Sequence, residues 1–311
     1  MMREPCLIIM MKKLTRFLSI PRISSILDTV PRNGVVADIG ADHGIISAGL
    51  SKFSSLVYAV EMSDLAARNG VISLIKELDI AEKVIVKIGF GLKPLIEMEV
   101  KKVDSIVIAG VGANTMENIL NNNQSCLNNY VSDSSKSSST AYSAIDSLQV
   151  NNIILQPSHP YLASSLILFR SMSKKGWVLD EQRIDPMGNF YRITSRLRRE
   201  AIMSSPATFS TCQNSNDSIF CSDYSLDLES WPLYRESILC SHCCNRQTCS
   251  RCRNWINYLR IQRSDIQKRQ QAPSLNTNQQ GNINSLLTGI EHHLSVLSDR
   301  CIQDTVDRSE D

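Results

Sequence analysis

The sequence VVADIGADHG at residues 35–44 joins a strand-like run to a glycine turn, and it decides the fold. Residues 35–39 are largely apolar and end at Gly40, a pattern typical of a strand that is covered on both faces. Similar short runs occur at residues 56–60, 84–88, 106–109 and 153–155. Apolar residues at helical spacing follow the run at 56–60 (Leu65, Ile72, Ile75 and Leu78) and the run at 106–109 (Met116, Ile119 and Leu120). Because strands alternate with amphipathic helices, the pattern predicts a parallel sheet with right-handed crossovers.

The organisation of the whole chain follows from this core. A predicted helix at residues 162–172 precedes two strands, 177–184 and 190–197, whose turn contains Pro186 and Gly188. We therefore predict an α/β domain over residues 1–203, with a doubly wound, mostly parallel sheet and an antiparallel edge hairpin. Its Ser- and Asn-rich residues 121–149 are predicted to be a disordered insertion. A polar linker, 204–231, leads to residues 232–311, where apolar residues at helical spacing predict a helical hairpin packed as a small coiled coil.

Composition and charge narrow the class of protein. The chain has 311 residues, of which 42% are hydrophobic and 21% charged, and its net charge of +2 means that any nucleic-acid surface is local. No apolar run approaches the ~20 residues of a transmembrane helix, so we expect no membrane span. Ten cysteines, crowded toward the C-terminus, favour a reducing compartment such as the cytoplasm. The basic N-terminus, with Glu4 as its one acid, leaves a mitochondrial or plastid location open.

The glycine turn is the candidate ligand site, because doubly wound sheets bind ligands beyond the carboxyl ends of their strands. Gly40 lets the backbone approach a ligand, and Glu61, which closes the second strand, is placed to accept both hydroxyls of a ribose. The turn lacks the second glycine of a dinucleotide motif, and Asp38 would repel a pyrophosphate. Asp38 and Gly40 instead suit the ammonium end of S-adenosylmethionine. A tight turn with solvated acids is the alternative.

Four short sequences occur in one order along the chain: VADIGADH at 36–43, IGFGL at 88–92, IVIAGVG at 106–112 and ILQP at 154–157. This series resembles the bacterial-type tRNA (adenine(22)-N1)-methyltransferase family over residues 14–199, and more faintly from Trp255 onward. The resemblance implies a Rossmann-like methyltransferase fold that binds S-adenosylmethionine, a C-terminal coiled coil, and methyl transfer to N1 of an adenine in tRNA. The cofactor-binding residues we expect are Asp38, Gly40, Glu61, Met62, Gly89, Phe90 and Gly110.

Asp42 is the candidate catalytic residue. It projects from the glycine turn and matches the family's second aspartate, where a carboxylate would stabilise the positive charge that develops on the methylated adenine. The alternative is that Asp42 caps the helix that begins near Gly44. Asn114, after the fourth strand, has two similar interpretations: it donates to the adenine, or it caps a helix over residues 115–120.

Two alternative functions remain open, and three departures from the family pattern favour the first of them. Phe90 stands where the family has an aspartate near the adenine, and Val111 and Ala113 alter its Gly-Met-Gly-Gly. These departures favour an inactive relative that keeps the fold as an RNA-binding or assembly protein. A methyltransferase that acts on DNA or on a protein is a second alternative.

Basic residues indicate where RNA would bind. Arg22 and Arg32 are expected to flank the entrance of the cofactor domain, and the first C-terminal helix is strongly basic. A one-sided basic strip suits a phosphate backbone, although a solvated helix face is the alternative. The expected tRNA contacts are Arg22, Arg32, Arg260, Arg263, Lys268 and Arg269.

The cysteine cluster in the C-terminal region has two interpretations. Cys240 and Cys243 form one Cys-x-x-Cys pair, and Cys249 and Cys252 form another. Such pairs are typical of structural zinc sites, but the gap between them is shorter than in ordinary zinc ribbons. The cluster is therefore either a structural zinc site or a group of free thiols in an insertion.

Overall fold

The computed structural model describes residues 14–121, 144–159, 162–188, 190–199 and 250–271, and within the C-terminal segment residues 280–281, 283–284 and 286–295. The predicted linker at 204–231, most of the predicted insertion at 121–149, and Cys240, Cys243 and Cys249 lie outside these residues. No described helix is both long enough and apolar enough to cross a membrane.

The strands form one seven-stranded sheet in the order β3-β2-β1-β4-β5-β7-β6. Strands β1 to β5 run parallel, and β7 runs antiparallel to both β5 and β6. The order reverses between β1 and β4, which makes the gap above these two strands the switch point of the sheet. The doubly wound sheet with an antiparallel edge hairpin is therefore confirmed. The strands are β1 (Val35–Ile39), β2 (Leu56–Glu61), β3 (Val84–Ile88), β4 (Ser105–Ala109), β5 (Asn152–Gln156), β6 (Trp177–Met187) and β7 (Phe190–Arg199).

Helices cover both faces of the sheet. They are α1 (Pro21–Thr29), α2 (Ile45–Leu50), α3 (Asp64–Ala67), α4 (Ser73–Leu78), α5 (Lys93–Glu97), α6 (Ala113–Leu120), α7 (Ala144–Ser147), α8 (Leu162–Ser173) and α9 (Ser250–Gln270). Residues 14–18 and 286–295 are also helical. A π-helical turn, Arg68–Ile72, joins α3 to α4.

The core consists of two layers, because successive strand residues point to opposite faces of the sheet. On β4, Ile106 and Ile108 join the cluster under α6 and α8, whereas Val107 joins the cluster under α1 and α2. All three side chains are fully buried. This two-sided burial accounts for the nearly continuous apolar runs of the strands.

Two sequence expectations about the core are wrong. The predicted insertion extends too far, because Ile145 and Leu148 are buried in the first cluster and α7 is part of the fold. The helical spacing after β2 places Leu65 and Ile72 in the core, yet both are exposed and Ala67 and Val71 are buried instead. The π-helical turn explains the second difference, since its wider turn changes which side chains share a face.

The C-terminal helices pack against the edge hairpin of the sheet. Trp255 and Tyr258 of α9 form a buried cluster with Ile184 and Ile193 of the hairpin, and Ile290 joins it from the second helical segment. The side-chain amide of Gln270 donates to Asn284 Oδ1 at 2.8 Å, which joins the end of α9 to the start of that segment. The predicted helical pair is present, and the core that it forms is shared with β6 and β7.

Candidate cofactor and RNA site

The turn after β1 has a backbone of unusual shape. Gly40, Asp42 and Gly44 have φ values of +82°, +44° and +73°, in the left-handed region. A Cβ atom on Gly40 would meet nothing within 4 Å, so conformation and not crowding requires glycine there. The N–H of Gly40 donates to the Val60 carbonyl at 2.8 Å, which holds the turn against the end of β2. The turn thus leaves open space at the carboxyl edge of β1.

Glu61, the last residue of β2, ties three loops together. Its Oε2 accepts the backbone N–H of Asp42 at 3.0 Å, and its Oε1 accepts that of Ser63 at 3.0 Å. Its backbone carbonyl accepts the N–H of Gly89, after β3, at 2.9 Å. Because a carboxylate oxygen carries two lone pairs, each oxygen can still accept a hydroxyl from a ligand.

Asp38 lies beneath the glycine turn and is only 1% exposed. Its Oδ2 accepts the hydroxyl of Ser47, on α2, at 2.5 Å. Burial raises the pKa of Asp38 to about 6, and the hydrogen bonds from Ser47 partly oppose that rise. The carboxyl group therefore joins β1 to α2, and its contact with a cofactor ammonium stays a prediction. Sequence reasoning missed Ser47, although a serine in the first turn of the following helix was a visible signal.

Asp42 presents its side chain to solvent at the same edge. The side chain is 63% exposed, and its Oδ2 lies 3.6 Å from Nε2 of His43. Gly44 occupies the N-cap position of α2, and no side chain caps this helix. The alternative that Asp42 caps α2 is therefore wrong, because the left-handed turn separates its carboxylate from the first N–H groups of the helix. Its catalytic role stays a prediction.

A contact that the sequence did not predict holds Asp42 in place. The N–H of Val71, in the π-helical turn, donates to the Asp42 carbonyl at 2.9 Å. A Cβ atom on Gly70 would lie 2.2 Å from the same carbonyl oxygen, so only glycine permits this approach. A glycine inside an apolar helical pattern was the available signal.

The remaining expected cofactor residues lie at the ends of β2, β3 and β4. Met62 is 59% exposed, and Phe90 is half-buried against the core cluster under α6. Gly89 and Gly110 have positive φ, and the N–H of Gly110 donates to the Gln156 carbonyl at 3.0 Å. Parallel strands bring these positions to one edge of the sheet, although their contacts with a cofactor stay predictions.

The helix after β4 begins two residues earlier than the N-cap interpretation of Asn114 requires. Helix α6 starts at Ala113, with Gly112 at the N-cap position and no side-chain cap. That interpretation is therefore wrong, because Asn114 lies inside the first turn. The N–H of Ser158 donates to the Val111 carbonyl at 2.9 Å, so the loops after β4 and β5 meet beside the switch point.

The structure separates the two arginines that were expected to flank the entrance. The carbonyl of Arg22 accepts the side-chain N–H of Gln156 at 2.7 Å, which places the start of α1 at the carboxyl end of β5. Arg32 instead precedes β1 and lies over the ring of Phe53, 3.7 Å from its centroid. Its expected position is wrong, because β1 stands between it and the glycine turn; an RNA contact there stays a prediction.

The basic residues of α9 lie mainly on its open side. Arg260, Lys268 and Arg269 are exposed and Arg263 is half-buried, while Trp255 and Leu259 face the hairpin. Among the described residues, no group of three or more His, Cys, Asp or Glu side chains could hold a metal ion. The backbone of Cys252 belongs to α9, but the other three cysteines of the two pairs are not described.

The strand order and the antiparallel edge hairpin are those of the Rossmann-like methyltransferase fold. Residues 19–134 match the sequence profile of a family described as "Methyltransferase domain". No curated protein matches the chain.

Solved structures of one kind of enzyme share the fold across almost the whole chain. TrmK from M. capricolum, in complex with S-adenosyl-homocysteine, is 15% identical, with a TM-score of 0.59 over 89% of this chain and 98% of its own. TrmK from B. subtilis, an M1A22 tRNA methyltransferase, is 15% identical, with a TM-score of 0.52 over 90% of this chain and 97% of its own. Streptococcus pneumoniae Sp1610, a putative tRNA (m1A22) methyltransferase in complex with S-adenosyl-L-methionine, is 13% identical, with a TM-score of 0.55 over 88% of this chain and 98% of its own. At these identities the likeness shows a shared fold.

Proposed function

We propose that this chain is an S-adenosylmethionine-dependent methyltransferase that modifies N1 of an adenine, at the position of adenine 22, in tRNA. The observation that carries the proposal is the coupling at the switch point: Glu61 fixes the backbone of Asp42, whose carboxylate stays exposed at the open edge. The methyltransferase domain match and the tRNA methyltransferases with the same fold support it.

The residues at this edge fit S-adenosylmethionine. Cβ atoms on Gly40 and Gly110 would meet nothing within 4 Å, so open space lies on both sides of the switch point. The Glu61 carboxylate keeps lone pairs for ribose hydroxyls. The turn holds Asp42 where a dinucleotide-binding motif has its second glycine, which disfavours a pyrophosphate. Met62, Gly89 and Phe90 would border the nucleoside at the ends of β2 and β3.

S-Adenosylmethionine supplies a methyl group that is already activated, so the protein contributes mainly proximity and alignment. Glu61 would orient the ribose and at the same time keep the Asp42 backbone in position. The adenine must leave its pairing or stacking, since its N1 lies on the Watson–Crick edge. Asp42 would then stabilise the positive charge that develops on the base. The loop from Gly110 to Asn114 would border that base.

RNA binding extends the proposal to the basic surfaces. Arg260, Arg263, Lys268 and Arg269 on α9 would contact the phosphate backbone and position the tRNA without reading its sequence. Arg22 would contact the tRNA at the carboxyl edge of the sheet. Arg32 would contact RNA only if the tRNA reaches the opposite edge of the sheet.

The competing function is an RNA-binding or assembly protein without catalysis, and Phe90 is the observation that favours it. Its half-buried ring packs against the core and replaces the aspartate of the resembled family. The experiment that separates the two functions measures S-adenosylmethionine binding by calorimetry, then transfer of radiolabelled methyl groups to unmodified tRNA. We expect binding and the formation of 1-methyladenosine. Binding of S-adenosylmethionine without methyl transfer would support the inactive relative. No binding of S-adenosylmethionine would overturn the proposed enzymatic function.

A further inference from the structure

The edge hairpin extends beyond the parallel sheet on the side of the candidate site. Strand β5 ends at Gln156, whereas β7 runs antiparallel and begins at Phe190. Leu155 pairs with Ser195, so the residues from Phe190 to Ile193 lie beyond the end of β5. At about 3.4 Å per residue, this overhang is roughly 14 Å long. We call residues 185–188 and 190–193 the hairpin arm.

One face of the hairpin arm is covered by α9, whereas the other is open only toward the turn, since Phe190 is exposed, Arg192 is half-buried and Thr194 is fully buried. Tyr191 and Ile193 pack against α9, with the rings of Tyr191 and Tyr258 6.2 Å apart. Because side chains alternate along a strand, Phe190, Arg192 and Thr194 belong to the opposite face. We call this second face the free face of the arm.

Gln156 brings Arg22 to the free face. Its buried side-chain amide donates both to Thr194 Oγ1 and to the Arg22 carbonyl, each at 2.7 Å. The start of α1 is therefore fixed beside β7, two residues along the strand from Arg192. Arg22 and Arg192 thus lie together at the carboxyl edge, next to the loops that follow β4 and β5.

Arg22 and Arg192 lack the ion pairs that neighbouring arginines of the hairpin form. Arg196, on the same face of β7, contacts Asp180 at 2.7 Å and Glu181 at 3.2 Å. Within the described part of the chain, no carboxylate oxygen lies within 4.0 Å of the Arg22 or Arg192 guanidinium. Partial burial lowers the pKa of Arg192, and the positive charge of Arg22 adds to that effect. Asp185 is the cross-strand partner of Arg192, but the two form no ion pair. Two guanidinium groups held close together without a direct ion pair are suited to bind a phosphate.

Phe190 adds a stacking surface at the end of the same face. It is 66% exposed, although a large apolar side chain at a hairpin turn gains nothing from contact with water. Unpaired RNA bases stack on such exposed rings, whereas paired bases are inaccessible to them.

We propose that the free face of the hairpin arm binds the single-stranded RNA that flanks the methylated adenine. Arg22 and Arg192 hold a backbone phosphate, and Phe190 stacks on an unpaired base. This inference rests on the proposed tRNA methyltransferase function and adds to it the element that grips the substrate strand beside the reaction.

Arg198 provides a matched control for the test. It lies on the same strand and the same face as Arg192, but it is ion-paired with Asp180 at 3.1 Å. It also pairs in register with Asn152 at the other end of β5, roughly 20 Å from Arg192 at the rise of a β-strand. The comparison therefore uses Arg22→Ala, Arg192→Ala, the charge-retaining Arg192→Lys, Phe190→Ala, the ring-retaining Phe190→Trp, and Arg198→Ala.

The measurement is the affinity of each variant for an unmodified tRNA transcript, by fluorescence anisotropy at several salt concentrations. We expect Arg22→Ala and Arg192→Ala to weaken binding and to reduce the slope of log affinity against log salt concentration by about one each. Phe190→Ala should weaken binding about tenfold with the slope unchanged, and Phe190→Trp should restore it. Arg192→Lys should keep the slope, and S-adenosylmethionine binding should be unchanged in every variant.

The outcomes distinguish this inference from the proposed function. If the wild-type protein methylates tRNA but the arm variants bind tRNA as Arg198→Ala does, the inference about the arm is overturned and the proposed function stands. If the wild-type protein neither binds nor methylates tRNA, both are overturned. Thermal unfolding of each variant identifies any that fails to fold. If an alanine variant does not fold, the tRNA affinities of Arg192→Lys and Phe190→Trp test the inference in its place.

Discussion

The backbone N–H of Asp42 donates a hydrogen bond to Oε2 of Glu61 at 3.0 Å, across 19 residues of sequence. The other oxygen of the same carboxylate accepts the N–H of Ser63 at 3.0 Å. One side chain thus fixes the loop that carries the candidate catalytic carboxylate and the loop that begins α3. A ligand bound by Glu61 would therefore be coupled to the position of Asp42.

Replacing Asp42 tests its catalytic role. Asn keeps the size of the side chain and tolerates the left-handed backbone at this position, so Asp42→Asn removes the charge and leaves the turn intact. We expect kcat for tRNA methylation to fall about 100-fold or more, with the affinity for S-adenosylmethionine within a factor of three of wild type. Steady-state kinetics and calorimetry measure the two quantities. Equal losses in both would mean that the residue is structural.

Replacing Glu61 tests the coupling. In Glu61→Gln one acceptor oxygen becomes an NH₂ group, which cannot accept a backbone N–H, and the charge that strengthens both bonds is lost. We expect S-adenosylmethionine to bind roughly 10- to 100-fold more weakly. The matched control is Glu97→Gln, since Glu97 is exposed and pairs only with Lys93 among the described residues. Similar cofactor affinities for the two variants would contradict the prediction.

Gly70→Ala tests whether the π-helical turn supports the site. The new Cβ would lie 2.2 Å from the Asp42 carbonyl oxygen, so one of the two backbones must move. We expect the free energy of unfolding to fall by about 1–3 kcal/mol and methyl transfer to fall with it. In the control, Gly281→Ala in the C-terminal helical segment, the added Cβ meets nothing within 4 Å. Urea denaturation compares the pair, and equal stabilities would show that the contact is not restrictive.

The buried carboxyl group of Asp38 predicts a pH dependence of stability. Its pKa is raised from 3.8 to about 6 in the folded chain, so folding favours the neutral form. Its contribution to stability is therefore full below about pH 4 and is lost as pH rises through about 6, a difference on the order of 3 kcal/mol. Asp38→Asn, which cannot ionise, should gain stability relative to wild type between pH 4 and pH 7. Urea denaturation across this range would refute the prediction if the difference stayed constant.

The basic side of α9 is expected to contribute to tRNA binding. Arg260→Ala with Arg263→Ala should raise the KM for tRNA and flatten its salt dependence, leaving kcat nearly unchanged, because backbone contacts position the substrate before the reaction. Unchanged tRNA kinetics would remove α9 from the binding surface. Trp255 and Leu259, on the buried side of the same helix, must stay intact in this test.

The sequence predicted most of the fold because the deciding signals are local. Five short apolar runs, the helical spacings between them and the turn before Phe190 each report on neighbouring residues, and the sheet confirms them. The same local reasoning failed at Leu65 and Ile72, where a π-helical turn shifts the buried face. It failed again at residues 144–149, where the apolar side chains are few but Ile145 and Leu148 are both buried.

By itself, the sequence determined the chemical character of the candidate site: a glycine turn after a buried strand, with acids at Asp38, Asp42 and Glu61. Only the tertiary structure decided how these groups act, because their partners come from distant segments. It buried Asp38 against Ser47, joined Asp42 to Glu61, and placed Gly70 against the Asp42 carbonyl.

The arginines show the same division. Their charge is a property of the sequence, but the edge on which each one lies depends on which way its strand or helix runs through the sheet. The fold therefore placed Arg32 away from the glycine turn, and it brought Arg22 beside Arg192 through one glutamine 134 residues along the chain. Local residue types fix what a side chain can do, and long-range packing fixes what it can reach.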